Sequence, residues 1–240
     1  MTFDVTLHPF DERDYTRLLV PTILGQRPEE ELQQVFGIDA EARRLLRAWL
    51  PKMRAALGAL RAGDGLPCTA VVHVAFAAMS AHRHPAYHLG DLGLSYWSNH
   101  REPPFRAYTR SMAVLAARIP DLGVAVGALR EGFSGPYTAG SFVPSGDIAH
   151  MLREVERSAP EYLDQLQAAG YQGREELLAL LEALHYARER HLALLEVTHS
   201  VAPDRLQALF PINHLRAPWR ETLPPAMASR FQRLLDRARD

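Results

Sequence analysis

The chain has 240 residues, 47% of them hydrophobic, with 27 basic and 28 acidic side chains giving a formal net charge of −1. That length and apolar content support a substantial core and exclude disorder as an overall description. A near-neutral chain with a pI near 6.8 exerts no general pull on a phosphate backbone or an anionic membrane, so nucleic acid is a poor default partner.

Lys52 is the only lysine, and arginine therefore carries nearly all the positive charge, as expected of a GC-rich bacterial genome more than of bidentate anion recognition. Residues 1–50 are acidic on balance, whereas the tail carries Arg205, Arg216, Arg220, Arg230, Arg233 and Arg237, in keeping with a solvated helix face or a contact with an acidic partner. One cysteine, Cys68, excludes an intramolecular disulfide framework. The opening Met-Thr-Phe-Asp-Val has neither a basic nor an apolar leader segment, and no apolar run approaches the ~20 residues needed to span a bilayer. A cytoplasmic protein without a membrane partner is expected.

Phe3, Val5 and Leu7 alternate with polar neighbours, predicting a strand over residues 2–8 that Pro9 closes. Asp11 is placed to cap a short helix through Val20, and Pro28-Glu-Glu-Glu31 opens another that continues through Phe36. Residues 40–61 read as helix, with Pro51 expected to kink or divide it and Gly63-Asp-Gly65 to end it. The run from Cys68 to Phe76 is apolar and β-branched at its centre, which predicts a buried strand; its alanine-rich continuation, residues 75–81, also fits a helix.

Residues 93–97 form a second strand candidate, and Pro103 and Pro104 open a predicted helix over 105–117 with Tyr108, Met112 and Leu115 on one face. Six glycines between Gly123 and Gly146 suggest one or two strands joined by tight turns; neither phosphate-loop pattern is present. Ser145 or Asp147 begins a helix with a stripe at Ile148, Met151, Leu152 and Val155. Ser158-Ala-Pro-Glu161 has the form of a capping box starting a separate helix that Gly170 ends. Residues 174–197 carry the longest leucine seam and predict the strongest helix. A short helix after Pro203, a proline-marked loop and a polar helix follow. These elements add up to one α+β unit over residues 1–240. A small mixed or antiparallel sheet is packed by helices within residues 1–143, and a mainly helical C-terminal third, 144–240, extends it.

Four of the eleven histidines lie between His82 and His100. His82 and His84 would share one face of an extended strand, and with His88 and Asp91 they offer a candidate divalent-metal set. The spacing matches no known pattern: Pro85-Ala-Tyr87 separates the pair from His88, and Pro85 keeps His84 and His88 off one helix face. A polar loop holding several histidines is the simpler reading. His73, among valines, suits a buried structural histidine better than a general base, and His185 and His191 are six residues apart, pointing to different sides of their helix. Gly132-Phe-Ser134-Gly135 lacks a residue of the nucleophile elbow, and Cys68 has no neighbouring base.

The aromatic, histidine and arginine side chains of Tyr87, Tyr96, Trp97, His100, Arg101 and Phe105 have the composition of a binding face. With a full core and no complete catalytic motif, the sequence points to a cytosolic binding or regulatory protein, of the kind that neutralises a protein partner. A metal-dependent hydrolase or oxygenase using His82, His84 and His88, with Asp91 as fourth ligand or base, is the alternative.

Overall fold

The centre of the molecule is an antiparallel pair made by two segments far apart in sequence, β1 (Val5–Phe10) and β5 (Ala193–Thr198), in register from Val5 opposite Thr198 to Phe10 opposite Ala193. The computed structural model describes residues 5–62, 70–90, 92–94, 104–116, 118–119, 141–168, 170, 173–198, 215–216, 229–231, 233 and 236. On one side β2 (Ala86–His88) pairs with β1; on the other, β4 (Ser141–Val143) pairs with β5 and β3 (Arg110–Ser111) with β4, all antiparallel. The two-residue β6 (Leu215–Arg216) lies parallel to β2 at the edge, completing the order β3-β4-β5-β1-β2-β6. The fold is α+β, as the sequence predicts.

Both faces of the sheet are covered, so every residue of β1 is buried. Phe10 on β1 and Ala193, Leu195 and Val197 on β5 face one core, whereas Val5, Leu7 and Leu194 face the other. The first core is closed by α1 (Val20–Ile23), α2 (Glu29–Phe36), α3 (Ala40–Ala62), α4 (Ala70–Ser80) and α5 (Ala113–Ala116). The second is closed by α6 (Ser145–Ala168) and α7 (Arg174–Arg190), with Phe231 of a later helical stretch docked on them. Between α6 and α7 the chain turns at Gly173, with φ +77°, where a Cβ would stand 3.1 Å from Leu163 and Leu166; only glycine fits.

Several elements differ from their sequence expectation, each for a physical reason. The strand β1 continues through Pro9 to Phe10. Val5 directs both its N–H and its C=O to the β2 side, bonding Gly90 and Leu89. By alternation Pro9 faces that side too, beyond the end of β2, where no N–H is needed.

Residues 70–80, expected as a strand in their first half, are the helix α4. This helix is wedged between the sheet and α3, and Val72 through Ala81 are all buried, so its sequence shows neither period.

The predicted helix 105–117 is instead a 3₁₀ turn (Pro104–Tyr108), β3 and α5. Crossing the sheet edge at β3 sends Phe105 to the second core and Met112 and Leu115 to the first, which one helix face cannot do.

Helix α6 runs unbroken through Pro160. Its buried stripe continues past the proline at Tyr162, Leu163 and Leu166, and burying three such side chains at about 1.5–3 kcal/mol each outweighs the ~3 kcal/mol that an interior proline costs. Pro51 is likewise inside a continuous α3, on its exposed side.

The helix expected over 174–197 stops at Arg190, where His191 adopts a left-handed φ of 55°, and Ala193 to Thr198 become the central strand β5. The C-terminal third is therefore largely helical but also supplies the middle of the sheet. Of the strand candidate 93–97, Gly93 and Leu94 are not in a strand and the rest lies outside the described residues, as do 123–140, the turn 63–65 and most of the chain beyond 198.

Phe76 of α4 has no exposed surface and packs edge-on against Phe10, Tyr15 and Phe36 with ring centroids 5.2, 5.2 and 6.0 Å away. Phe76→Ala is expected to cost about 3–5 kcal/mol, read as a lower urea midpoint. Val35→Ala, at a side chain 40% exposed, is the control and should change stability by less than about 0.5 kcal/mol.

Candidate functional site

The histidines singled out by sequence part company after α4. His82 sits in the turn that ends that helix, His84 follows it, and His88 lies on β2 opposite Thr6. His84 Nδ1 is 3.2 Å from the Tyr186 hydroxyl of α7. Among the described residues no three His, Cys, Asp or Glu side chains are placed to hold one metal ion, so this trio makes no ligand set by itself; Asp91 lies outside the described residues.

Of the expected binding face, Tyr87 and Phe105 are each 1% exposed and belong to the second core, where they pack with α6 and α7. Tyr96, Trp97, His100 and Arg101, like Cys68 and Ser134, are outside the described residues. His73 is buried on α4 with Nε2 3.4 Å from the Tyr15 hydroxyl. His185 is half-buried and accepts a bond from Arg188, and His191 is exposed at the end of α7.

Two ionisable groups, His8 and Glu196, are buried in the sheet itself. His8, fully buried, has Nε2 3.0 Å from Thr6 Oγ1, and burial drives its pKa down to about 3, the Ala77 carbonyl offsetting this in part. Glu196, 1% exposed on the opposite face, accepts the Leu94 backbone N–H at 2.5 Å and the Ser141 hydroxyl at 3.2 Å. It thereby fastens a loop and β4 to the central strand.

A polar cleft of about 750 Å³ lies where β1 ends and β5 begins. Its first wall is the helical segment after β1. Asp11 Oδ1 accepts the Arg13 N–H at 2.8 Å and starts the segment, as its sequence position suggests. A π-helix then runs from Asp14 to Leu19, and the Val20 N–H reaches back to the Tyr15 carbonyl. Pro21 has no N–H to offer Arg17, and the widened turn precedes it. Arg13 and Arg17 are four residues apart and exposed on this wall.

The second wall joins the chain after α5 to the start of α6. Glu12 Oε1 accepts the Ser145 N–H at 3.0 Å and its hydroxyl at 3.1 Å, while Oε2 pairs with Arg118 at 3.0 Å. The N-terminus of α6 is thus capped by a carboxylate from another element, and the cationic groups of the cleft are the guanidiniums. The third wall is the end of α7, with Arg190 and His191. The Arg190 guanidinium lies 4.0 Å over the Tyr186 ring, a cation–π contact that fixes its direction.

Four arginines therefore line the cleft against two carboxylates, Asp11 and Glu12. Among the described residues Arg13 and Arg17 make no ion pair. His84 stands behind the α7 wall: burial first, then Arg83 and Arg190, lower its pKa to about 4, with Asp11 opposing.

A smaller cleft of about 580 Å³ along α6 holds Glu154 between two tyrosines, with Tyr108 and Tyr162 both donating to its carboxylate. The bond to Glu154 pushes Tyr108 up to about 12, and the same bond holds Glu154 below the usual carboxylate range. Its charges are largely matched internally, since Arg230 pairs with Glu156 at 2.8 Å.

No family model, curated protein or solved structure matches this chain. Among the described residues no helix is long and apolar enough to cross a membrane.

In the unfolded chain His8 and His84 take up protons as pH falls through their ordinary value of 6.5, while the folded forms resist until about 3 and about 4. Their contribution to stability is complete above pH 6.5 and is lost progressively as pH falls through that window. The urea midpoint should therefore drop between pH 7 and pH 4, more steeply in the wild type than in a His8→Leu, His84→Gln variant; equal slopes would contradict the assignment.

Proposed function

We propose that the protein is a binding or regulatory protein that takes an anionic ligand in the cleft between β1, α5, α6 and α7. The observation that carries this reading is the convergence of Arg13, Arg17, Arg118 and Arg190 from three separate elements on one concavity with only Asp11 and Glu12 to balance them. Four guanidiniums against two carboxylates leave the cleft net positive, and an anion with fork-compatible oxygens binds such groups through charge-assisted hydrogen bonds. Arg190 is held in place by Tyr186 and Arg118 by Glu12, so part of the ordering is complete before a ligand arrives.

A partner neutralised through an acidic surface segment is one form this binding could take. The metal-dependent alternative draws no support from the described histidines, of which His84 faces the Tyr186 hydroxyl and His88 lies on β2.

Isothermal titration of the full chain with inorganic tripolyphosphate at low salt is expected to show binding that weakens as ionic strength rises. Arg13→Ala, Arg17→Ala should weaken it roughly tenfold or more, about 1.4 kcal/mol, without moving the unfolding midpoint, because both side chains are exposed. Absence of binding to tripolyphosphate, citrate and hexaglutamate alike would overturn the proposal.

A further inference from the structure

We infer that the ligand is a compact molecule bearing two or more phosphate-type groups on a polar, non-aromatic body; this rests on the anion-binding reading above and narrows it. The shape of the site excludes the broader classes. Its volume of about 750 Å³ falls in the range of small-molecule sites, roughly 300–1,000 Å³, and it is a concavity with walls on three sides where a protein surface would need a wide, flat patch.

Small-ligand clefts usually offer a largely apolar lining to the body of the ligand. Here Ile119 is the one apolar side chain on the walls among the described residues, and it is itself buried in the first core. Among the described residues the walls hold no Phe, Tyr or Trp ring for a nucleobase, their one ring being the His191 imidazole, and an aliphatic chain would find little to displace water from.

The placement of charge sets the number of anionic groups. Arg13 and Arg17 stand together on the first wall, and Arg190 faces in from the end of α7, held by its contact with Tyr186. They stand on different walls of the cleft, the first after β1 and the third at the end of α7. A ligand with two anionic groups satisfies both. On the first wall Asp11, which uses Oδ1 on the Arg13 N–H, and the Thr16 hydroxyl, which donates to the Glu12 carbonyl at 3.0 Å, present oxygen acceptors suited to ligand hydroxyl groups. A polyol or sugar carrying two phosphates meets all these demands.

The test is a titration series on the full chain with fructose 1,6-bisphosphate, orthophosphate, ATP and hexaglutamate. The bisphosphate should bind at least about tenfold more tightly than orthophosphate and than hexaglutamate, with ATP no tighter than tripolyphosphate because the walls described hold no Phe, Tyr or Trp ring for its base. Arg190→Ala and the Arg13→Ala, Arg17→Ala variant should each bring bisphosphate affinity down towards that of orthophosphate. Orthophosphate binding as tightly as the bisphosphate, or bisphosphate affinity unchanged in both variants, would overturn the two-point assignment. Tightest binding by hexaglutamate or ATP would overturn the ligand class and leave the anion-binding reading standing; no binding by any probe would remove both.

Discussion

The six-residue antiparallel pairing of β1 with β5 is the constraint on which the rest of the structure depends. It joins two segments more than 180 residues apart, and each covers half of two separate cores. A slip of β5 by one residue would turn Leu195 and Val197 out of one core and drive Glu196 into it. The polar groups buried in the pair reinforce the register. His8 and Thr6 bond each other on one face, and Glu196 on the other collects the Leu94 amide and the Ser141 hydroxyl. Removing the Thr6 hydroxyl would take from the fully buried His8 Nε2 its bond in the core, a cost of about 1–3 kcal/mol.

The same register builds the arginine cleft. Because Phe10 lies opposite Ala193, the chain leaving β1 and the chain entering β5 emerge at the same edge of the sheet. Arg13 and Arg17 follow the first within a few residues, and Arg190 and His191 immediately precede the second. Glu12 then ties the start of α6 and Arg118 to this edge through three contacts. Cations scattered over 178 positions of sequence, Arg13 to Arg190, become neighbours through one strand pairing and one bridging carboxylate.

Legibility in the sequence followed how much of an element's surroundings its own pattern records. The strand β1 was readable because apolar residues alternate with Thr6 and His8 even though all are buried, and the helix α2 and the stripe of α6 because each buries one face. α4 was not, since a helix buried all round loses its period. The stretch Ala193 to Thr198 carries helix-favouring Ala, Leu and Glu, and pairing on both edges outweighs that preference. The histidine run His82 to His88 drew the eye by density, yet His84 turned to Tyr186 and His88 entered a strand. The arginines of the cleft carried no such density. Their one local trace was the four-residue spacing of Arg13 and Arg17 after Asp11.

By itself the sequence determined the class of the fold, the presence of a full core, the near-zero net charge and the local starts of several elements, because these depend on composition and on neighbours a few residues away. Tertiary structure alone decided which segment forms the central strand, where prolines are tolerated and which arginines meet. Those outcomes depend on pairing energies between segments that share no local signal, and on burial that exists only once both cores have closed.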